Sequence, residues 1–336
     1  VEAEKQGTLF KKKRREMTTA ERVGMLQEKL YCKAKQARDY KFYILYDKMF
    51  ISYMLQEAYR RVKQNGGSPG IDGQRFEDVE GYGLEKFLDE LGEDLRRRSY
   101  KPQAVKRVWI DKANGGKRPL GIPTLRDRVA QTVCKMIIEP IFEADFEESS
   151  YGFRPERSSK DAIRAIKEYL QEGKTEVLDA DMSSYFDTIP HDKLMKVLEL
   201  RIADPRIMHL IAMWLKSPIY EDGQFKGGKK QKEGTPQGGV ISPLLANIYM
   251  HLVDKIVNNT KDIFHQTGIR IVRYADDFVL LGEKITEQAM KRLRSILTRM
   301  GLKLNEQKTR QVQAKDTAFN FLGFTIRYDK DIYGGN

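Results

Sequence analysis

Two carboxylates stand side by side in Arg273-Tyr274-Ala275-Asp276-Asp277-Phe278-Val279-Leu280-Leu281, and a second apolar run, Glu176-Val177-Leu178-Asp179-Ala180-Asp181, also ends in acids. Adjacent negative charges between two strand-like segments repel each other, and Arg273 is the one local base. A divalent cation would remove that penalty, because Mg²⁺ is held by one or two carboxylates together with substrate phosphates. Aspartate is also at home in an ordinary hairpin turn, so the pair alone leaves a structural turn open. The second acidic strand end favours metal chemistry. Two Mg²⁺ ions about 3.5–4 Å apart, shared by carboxylates from two strands, can activate a hydroxyl and stabilise a leaving pyrophosphate.

Such carboxylates need a polyanionic substrate, and the charge balance supplies the reason to expect one. The chain has 336 residues, 40% of them hydrophobic, and a net charge of +12. That is enough chain for about two domains of roughly 150 residues with a proper core, which excludes a disordered basic tail. No apolar run approaches the roughly 20 residues of a membrane span. The basic run Lys11-Lys12-Lys13-Arg14-Arg15 is followed by polar sequence rather than the apolar core of a secretory signal. Cys32 and Cys134 make neither a disulfide framework nor a metal-ligand spacing, which fits a reducing compartment and predicts a cytoplasmic protein. Residues 1–65 hold sixteen Lys/Arg against eight Asp/Glu, and residues 96–128 hold eleven against two. Residues 139–148 carry five acids and no base, so the field is polarised.

The elements that must position these groups alternate helix with hairpin. Residues 1–64 read as helical, with a break at Gly66-Gly67-Ser68-Pro69-Gly70. Further helices are expected over 85–98, 126–142, 160–170, 191–200, 206–216, 242–257 and 287–300. Val105, Val108 and Ile110 before Asn114-Gly115-Gly116 predict a basic two-stranded ribbon, a device that projects cations toward phosphates or simply a solvated hairpin. The segment 223–234 is rich in Gly and Lys. Strands at 176–181, 269–274 and 278–281 complete an α+β fold rather than a doubly wound sheet.

The ordered series SPGIDG (68–73), KRPLGIP (117–123), YGFRP (151–155), DMSSYFD (181–187), GTPQGGVISPLLAN (234–247), YADD (274–277), GLKLNEQKT (301–309) and FLGF (321–324) resembles the reverse transcriptases encoded by group II introns, the intron maturases. The likeness runs over residues 41–328. It implies the fingers and palm of a right-hand polymerase, with an antiparallel palm sheet packed on helices: a basic N-terminal extension at 1–40, fingers at 41–175 and palm at 176–336. The family continues past FLGF into a helical thumb, a DNA-binding region and sometimes a nuclease. Since the chain starts at Val1 and stops at Asn336, the expectation is the thumb-less part of a longer protein.

The resemblance also assigns roles. Asp181 and Asp276 would bind two Mg²⁺ ions, with Mn²⁺ as substitute; Asp277 supports that site and the Met182 carbonyl completes the shell. Lys308 would protonate the leaving pyrophosphate. Phe186 matches the steric gate that excludes a 2′-hydroxyl, Lys112 and Arg118 the finger contacts to the triphosphate, and Gln237 and Gly238 the backbone packed on nucleotide and template. Lys11, Lys12, Lys13, Arg14, Arg15, Lys33, Lys35 and Arg38 fall in the arm that grips intron RNA. The implied partners are an RNA template with a DNA primer, dNTPs, intron RNA and target DNA, with a homodimer compatible and no membrane. The implied work is reverse transcription, splicing assistance and retrohoming. Two alternatives stay open: a reverse transcriptase outside introns, such as a retron, diversity-generating or CRISPR-associated enzyme, and an RNA-binding splicing factor without polymerase activity.

Overall fold

The computed structural model describes residues 17–111, 115–235 and 238–328. The first four α-helices among the described residues are α1 (Thr19–Gln36), α2 (Ser52–Asn65), α3 (Phe76–Tyr82) and α4 (Leu84–Arg97). Instead of one helical stretch to residue 64, α1 starts where Thr18 and Glu21 form a reciprocal capping box, and residues 37–51 are irregular apart from one short turn. Next come β1 (Val105–Asp111), β2 (Lys117–Ile122) and α5 (Leu125–Glu143). Helix α5 is buried nearly all round, packed by α1 and α2, and so serves as the axis of the first half. Its first turn is fixed by Asp127, which accepts hydrogen bonds from the Tyr100 hydroxyl at 2.6 Å, the Gln103 amide at 3.0 Å and Thr124 Oγ1 at 2.9 Å.

The second half begins with α6 (Ser159–Gln171), β3 (Glu176–Ala180), α7 (Tyr185–Thr188), α8 (His191–Leu198) and α9 (Pro205–Leu215). The Gly/Lys-rich region does not stay a loop. Its first part completes a hairpin, β4 (Pro218–Glu221) with β5 (Gln224–Gly227), and β4 joins β1 in parallel to give a sheet ordered β2-β1-β4-β5. Then follow α10 (Ser242–Val257), α11 (Ile263–Gln266), β6 (Arg270–Tyr274), β7 (Asp277–Gly282), α12 (Glu287–Met300), β8 (Arg310–Gln313), β9 (Phe319–Phe321) and β10 (Phe324–Ile326).

A four-stranded antiparallel sheet ordered β6-β7-β3-β8 forms the floor of this half. Because side chains alternate across a strand, its residues divide between two cores. Leu178, Ala180, Phe278 and Leu280 face the core shared with α10 and α12, while Val177, Val279 and Leu281 face a smaller one with Ala162, Ile166 and Leu170 of α6 and Phe319 and Phe321 of the last hairpin. With both faces covered, the strand register is strongly fixed, since a slip of one residue would exchange the two sets.

Arg273, on β6, is fully buried and ties the sheet to α10. Its guanidinium donates to both carboxylate oxygens of buried Asp254 (Nε at 2.8 and 3.0 Å, Nη2 at 2.6 Å) and, from Nη1, to Asn247 Oδ1 at 2.8 Å. Sequence reading made Arg273 the local base of the acidic pair; it is instead committed to Asp254, because a guanidinium in the core needs a full set of acceptors there. Removing one member of a buried pair strands the other charge. Asp254→Ala is therefore expected to lower unfolding stability by about 3–5 kcal/mol in urea titrations; a loss below about 1 kcal/mol would mean that Arg273 finds water or another acceptor.

Candidate active site

The register of the sheet gathers the acids. Ala180 pairs with Phe278, so one more residue along each strand sets Asp181 across from Asp277. Asp179, Asp181 and Asp277 then share one face by alternation. Tyr274 pairs with Asp277, leaving Ala275 and Asp276 as a two-residue turn, with Ala275 at φ +59°. A positive φ at the first central residue is what a tight hairpin of this hand demands, and it strains a residue that has a Cβ.

Two contacts hold that strain. Arg273 Nη1 donates to the Ala275 carbonyl at 2.8 Å, and the chain at 149–152 runs alongside β6, with the Tyr151 amide on the Arg273 carbonyl and the Arg273 amide on the Ser149 carbonyl, both at 2.8 Å. Gly152 lies directly under the turn, where a Cβ would sit 2.4 Å from the Ala275 nitrogen. Asn247 of α10 donates to the Gly152 carbonyl at 2.6 Å and accepts from Arg273, and Ser150 Oγ receives Arg273 Nη2 at 2.6 Å. Arg154 is buried on Glu143 and on the carbonyls of Glu147 and Ser150, so it supports the shelf. Phe153 is half exposed, its ring 6.4 Å from that of Tyr274.

The charges are felt in the titration of the cluster. Desolvation, then the charges of Asp276, Asp181 and Asp179, push the Asp277 carboxyl up to about 6, against the pull of Lys308. Asp276 is also raised, by desolvation and by Asp181, while Arg118 draws it down. Desolvation and Asp181 raise Asp179. The residue after β3 is cupped by the 301–309 segment: the Asn305 amide donates to the Asp181 carbonyl at 2.8 Å, the Ser183 amide to Lys303, and Lys308 Nζ lies 3.4 Å from Asp181 Oδ2. Met182 is buried and bridges to Leu304.

These oxygen donors fit a hard divalent cation. Among the described residues no three His, Cys, Asp or Glu side chains are grouped so as to hold a metal ion by themselves. Asp181, Asp276 and Asp277 would hold the metal, which would supply positive charge against the phosphates.

On the nucleotide side, Arg118 lies on β2, close enough for its charge to reach Asp276. Phe186 is buried beside Tyr185, ring centroids 5.5 Å apart, and its carbonyl accepts from the Thr235 amide at 2.6 Å. Gly238, at φ +103°, packs on β2: a Cβ there would meet the Gly121 carbonyl oxygen at 2.3 Å. The glycine is thus required by a protein contact joining the loop before α10 to the ribbon. A cavity of about 340 Å³ opens beside it, lined by Gly67, Ser68, Gly121, Pro123 and Val240. Lys112, Gln237 and Lys11–Arg15 lie outside the described residues. In the N-terminal arm, Lys33 stacks on Tyr40 with Nζ 4.5 Å from the ring, Lys35 donates to the Ala144 carbonyl at 3.1 Å, and the Arg38 carbonyl accepts from Arg201. Sequence reasoning missed Asp254, Ser150 and Gly152 as supports of the turn. The signal for Gly152 was its place in YGFRP, whereas a lone helical Asp254 offered none.

Comparison with known proteins gives the family and the fold. Residues 110–326 match the family described as reverse transcriptase (RNA-dependent DNA polymerase). Protein YkfC of Escherichia coli K12 is 38% identical, over 83% of this chain and 82% of its own length. The group II intron-encoded protein LtrA of Lactococcus lactis subsp. cremoris is 32% identical over 80% of this chain, which spans 54% of that relative. An apo telomerase from Candida tropicalis shares the fold, at a TM-score of 0.50 and 15% identity, over 72% of this chain and 59% of that one. The chain belongs to the reverse transcriptase family, as an RNA-directed DNA polymerase of the kind found in group II intron-encoded proteins.

Proposed function

We propose that the chain extends a DNA primer on an RNA template by metal-assisted nucleotidyl transfer at Asp181, Asp276 and Asp277, and that it serves a group II intron in splicing and retrohoming. The observation that carries the catalytic part is the convergence of three carboxylates from two strand ends, in a protein whose net charge is +12. In the transfer, the primer 3′-oxygen forms a bond to the α-phosphorus of a dNTP as its proton leaves to water, and the bond from that phosphorus to pyrophosphate breaks. Two Mg²⁺ ions are the proposed complement, supplying positive charge to both oxygens. Lys308, beside Asp181, would donate the proton that the departing pyrophosphate takes up. Arg118 would bear on the triphosphate, and Phe186 would close the sugar site against a 2′-hydroxyl. Intron RNA and target DNA as partners, and a cytoplasmic ribonucleoprotein as the setting, belong to the same proposal and rest on the motif series that resembles the intron maturases. The intact carboxylates favour a working polymerase over a splicing factor that has lost its chemistry.

In oligo(dT) extension on poly(rA) with Mg²⁺, Asp276→Ala with Asp277→Ala should abolish synthesis; activity persisting in that double variant would refute the site. Phe186→Ala should begin to incorporate ribonucleotides, read as the rNTP-to-dNTP ratio of incorporation, and an unchanged ratio would remove the gate. For pH, a raised Asp277 keeps its proton in the folded state up to about 6, so the metal-free protein loses stability as pH rises from the ordinary carboxylate range through that value. A cation must displace the same proton. The Mg²⁺ concentration giving half-maximal extension should therefore climb by up to roughly tenfold per unit as pH falls below 6; a flat Mg²⁺ requirement between pH 7 and 5 would contradict the coupling.

A further inference from the structure

Next to α7, the chain from Lys229 to Gly234 folds back over α8 and α9, around a lining that includes none of Asp181, Asp276, Asp277 or Arg118. The His191 amide donates to the Lys232 carbonyl at 2.9 Å, and the Gly234 amide to the Ile189 carbonyl at 2.9 Å. Under this segment lies a cavity of about 400 Å³, within the 300–1,000 Å³ range of ligand sites. Met195, Ala212 and Leu215 form an apolar floor, and Lys216, Lys229, Lys230 and Lys232 stand around it, with Asp192 as the one acid in the lining. A second cavity of about 370 Å³ shares Ala212, Lys216 and Lys229 and adds His209, so the two make one groove along α9.

Two features separate this groove from a solvated charge run. Lys226 nearby is paired with Glu221 at 2.7 Å, whereas among the described residues the four groove lysines have no carboxylate partner. The lysines also surround apolar side chains rather than open solvent, while His191 and Gln231 in the lining are engaged by the backbone: His191 Nε2 lies 2.6 Å from the Gly234 carbonyl, and Gln231 Nε2 donates to the Glu233 carbonyl at 3.0 Å. An occupant that suits the site combines apolar faces with a run of negative charge. Phosphate alone brings no apolar face for the floor.

We propose that this groove binds single-stranded RNA outside the polymerase cleft, with a base on the apolar floor of Met195, Ala212 and Leu215 and flanking phosphates on the four lysines. The choice of RNA rests on the reading of the chain as a polymerase that handles RNA; the base-and-phosphate chemistry of the groove is independent of it. The segment that closes the groove continues through Gly234 and Thr235 to the carbonyl of Phe186, so a strand held here lies against the same backbone that sets the sugar gate.

The test measures fluorescence anisotropy of a short unstructured labelled RNA with saturating unlabelled template–primer blocking the cleft, alongside primer extension. Replacing Lys216, Lys230 and Lys232 together by Ala should weaken binding at least tenfold and reduce the salt slope by about two, at roughly 0.7 per lost single-strand phosphate contact. Ala212→Trp, which fills the floor without changing charge, should weaken binding with the slope retained. Extension on poly(rA) should stay within twofold of the parent for both. The inference is overturned if the triple lysine variant binds as the parent does, or no worse than a variant with Lys160, Lys167 and Lys284 replaced by Ala. Extension that is absent from the parent itself defeats the polymerase reading, and the binding arm still decides the groove.

Discussion

Everything at the candidate active site hangs on one buried ion pair, Arg273 with Asp254. A guanidinium in the core is expensive unless each donor is matched, and here its acceptors come from three parts of the chain: Asp254 and Asn247 on α10, Ser150 on the shelf, and the Ala275 carbonyl in the turn. Such a network does little for net stability compared with well-packed apolar groups. What it supplies is position. The turn can keep a positive φ at Ala275 only because a fixed donor holds its carbonyl from one side and the backbone of Gly152 presses from the other.

The same logic explains how a folded chain tolerates Asp179, Asp181, Asp276 and Asp277 together. Their repulsion is only partly relieved by neighbouring bases: Arg273 is committed to Asp254, and Lys308, Arg118 and Arg310 draw down Asp277, Asp276 and Asp179 without cancelling the rise that burial and the other acids cause. It is carried by a sheet that has no freedom to slip, because both of its faces are buried. The acids are held near one another at a cost, and their raised protonation is the visible sign of it. A site that binds cation and triphosphate together benefits from that arrangement, because the repulsion disappears only when the positive charge arrives.

The candidate carboxylates were legible in the sequence because they are local: two adjacent acids between apolar runs, and another strand end in acids. The strands and most helices were legible for the same reason, through periodicity and turn residues. What stayed hidden depended on contacts distant in sequence. Asp254 looks like any polar residue on an amphipathic helix until Arg273 is folded against it, nineteen positions later. The hairpin β4–β5 was masked by glycines and lysines, and its first strand is fixed by pairing with β1, more than a hundred residues earlier. Gly238 was read as leaving room for a nucleotide, yet its lack of a Cβ is demanded by the Gly121 carbonyl.

That last contact bears on how the two halves work together. The ribbon carries Arg118, whose charge reaches Asp276, and it is anchored at its base in two places: β1 accepts β4 in parallel, and β2 lies against Gly238 at the start of the loop leading into α10. Helix α10 in turn supplies Asn247 and Asp254 to the network beneath the acidic turn. A continuous path of backbone contacts and buried charge therefore joins the cations of the ribbon to the anions of the sheet. Moving the ribbon as a rigid body would require breaking the close approach of Gly121 and Gly238, so that contact ties the position of Arg118 to the loop entering α10.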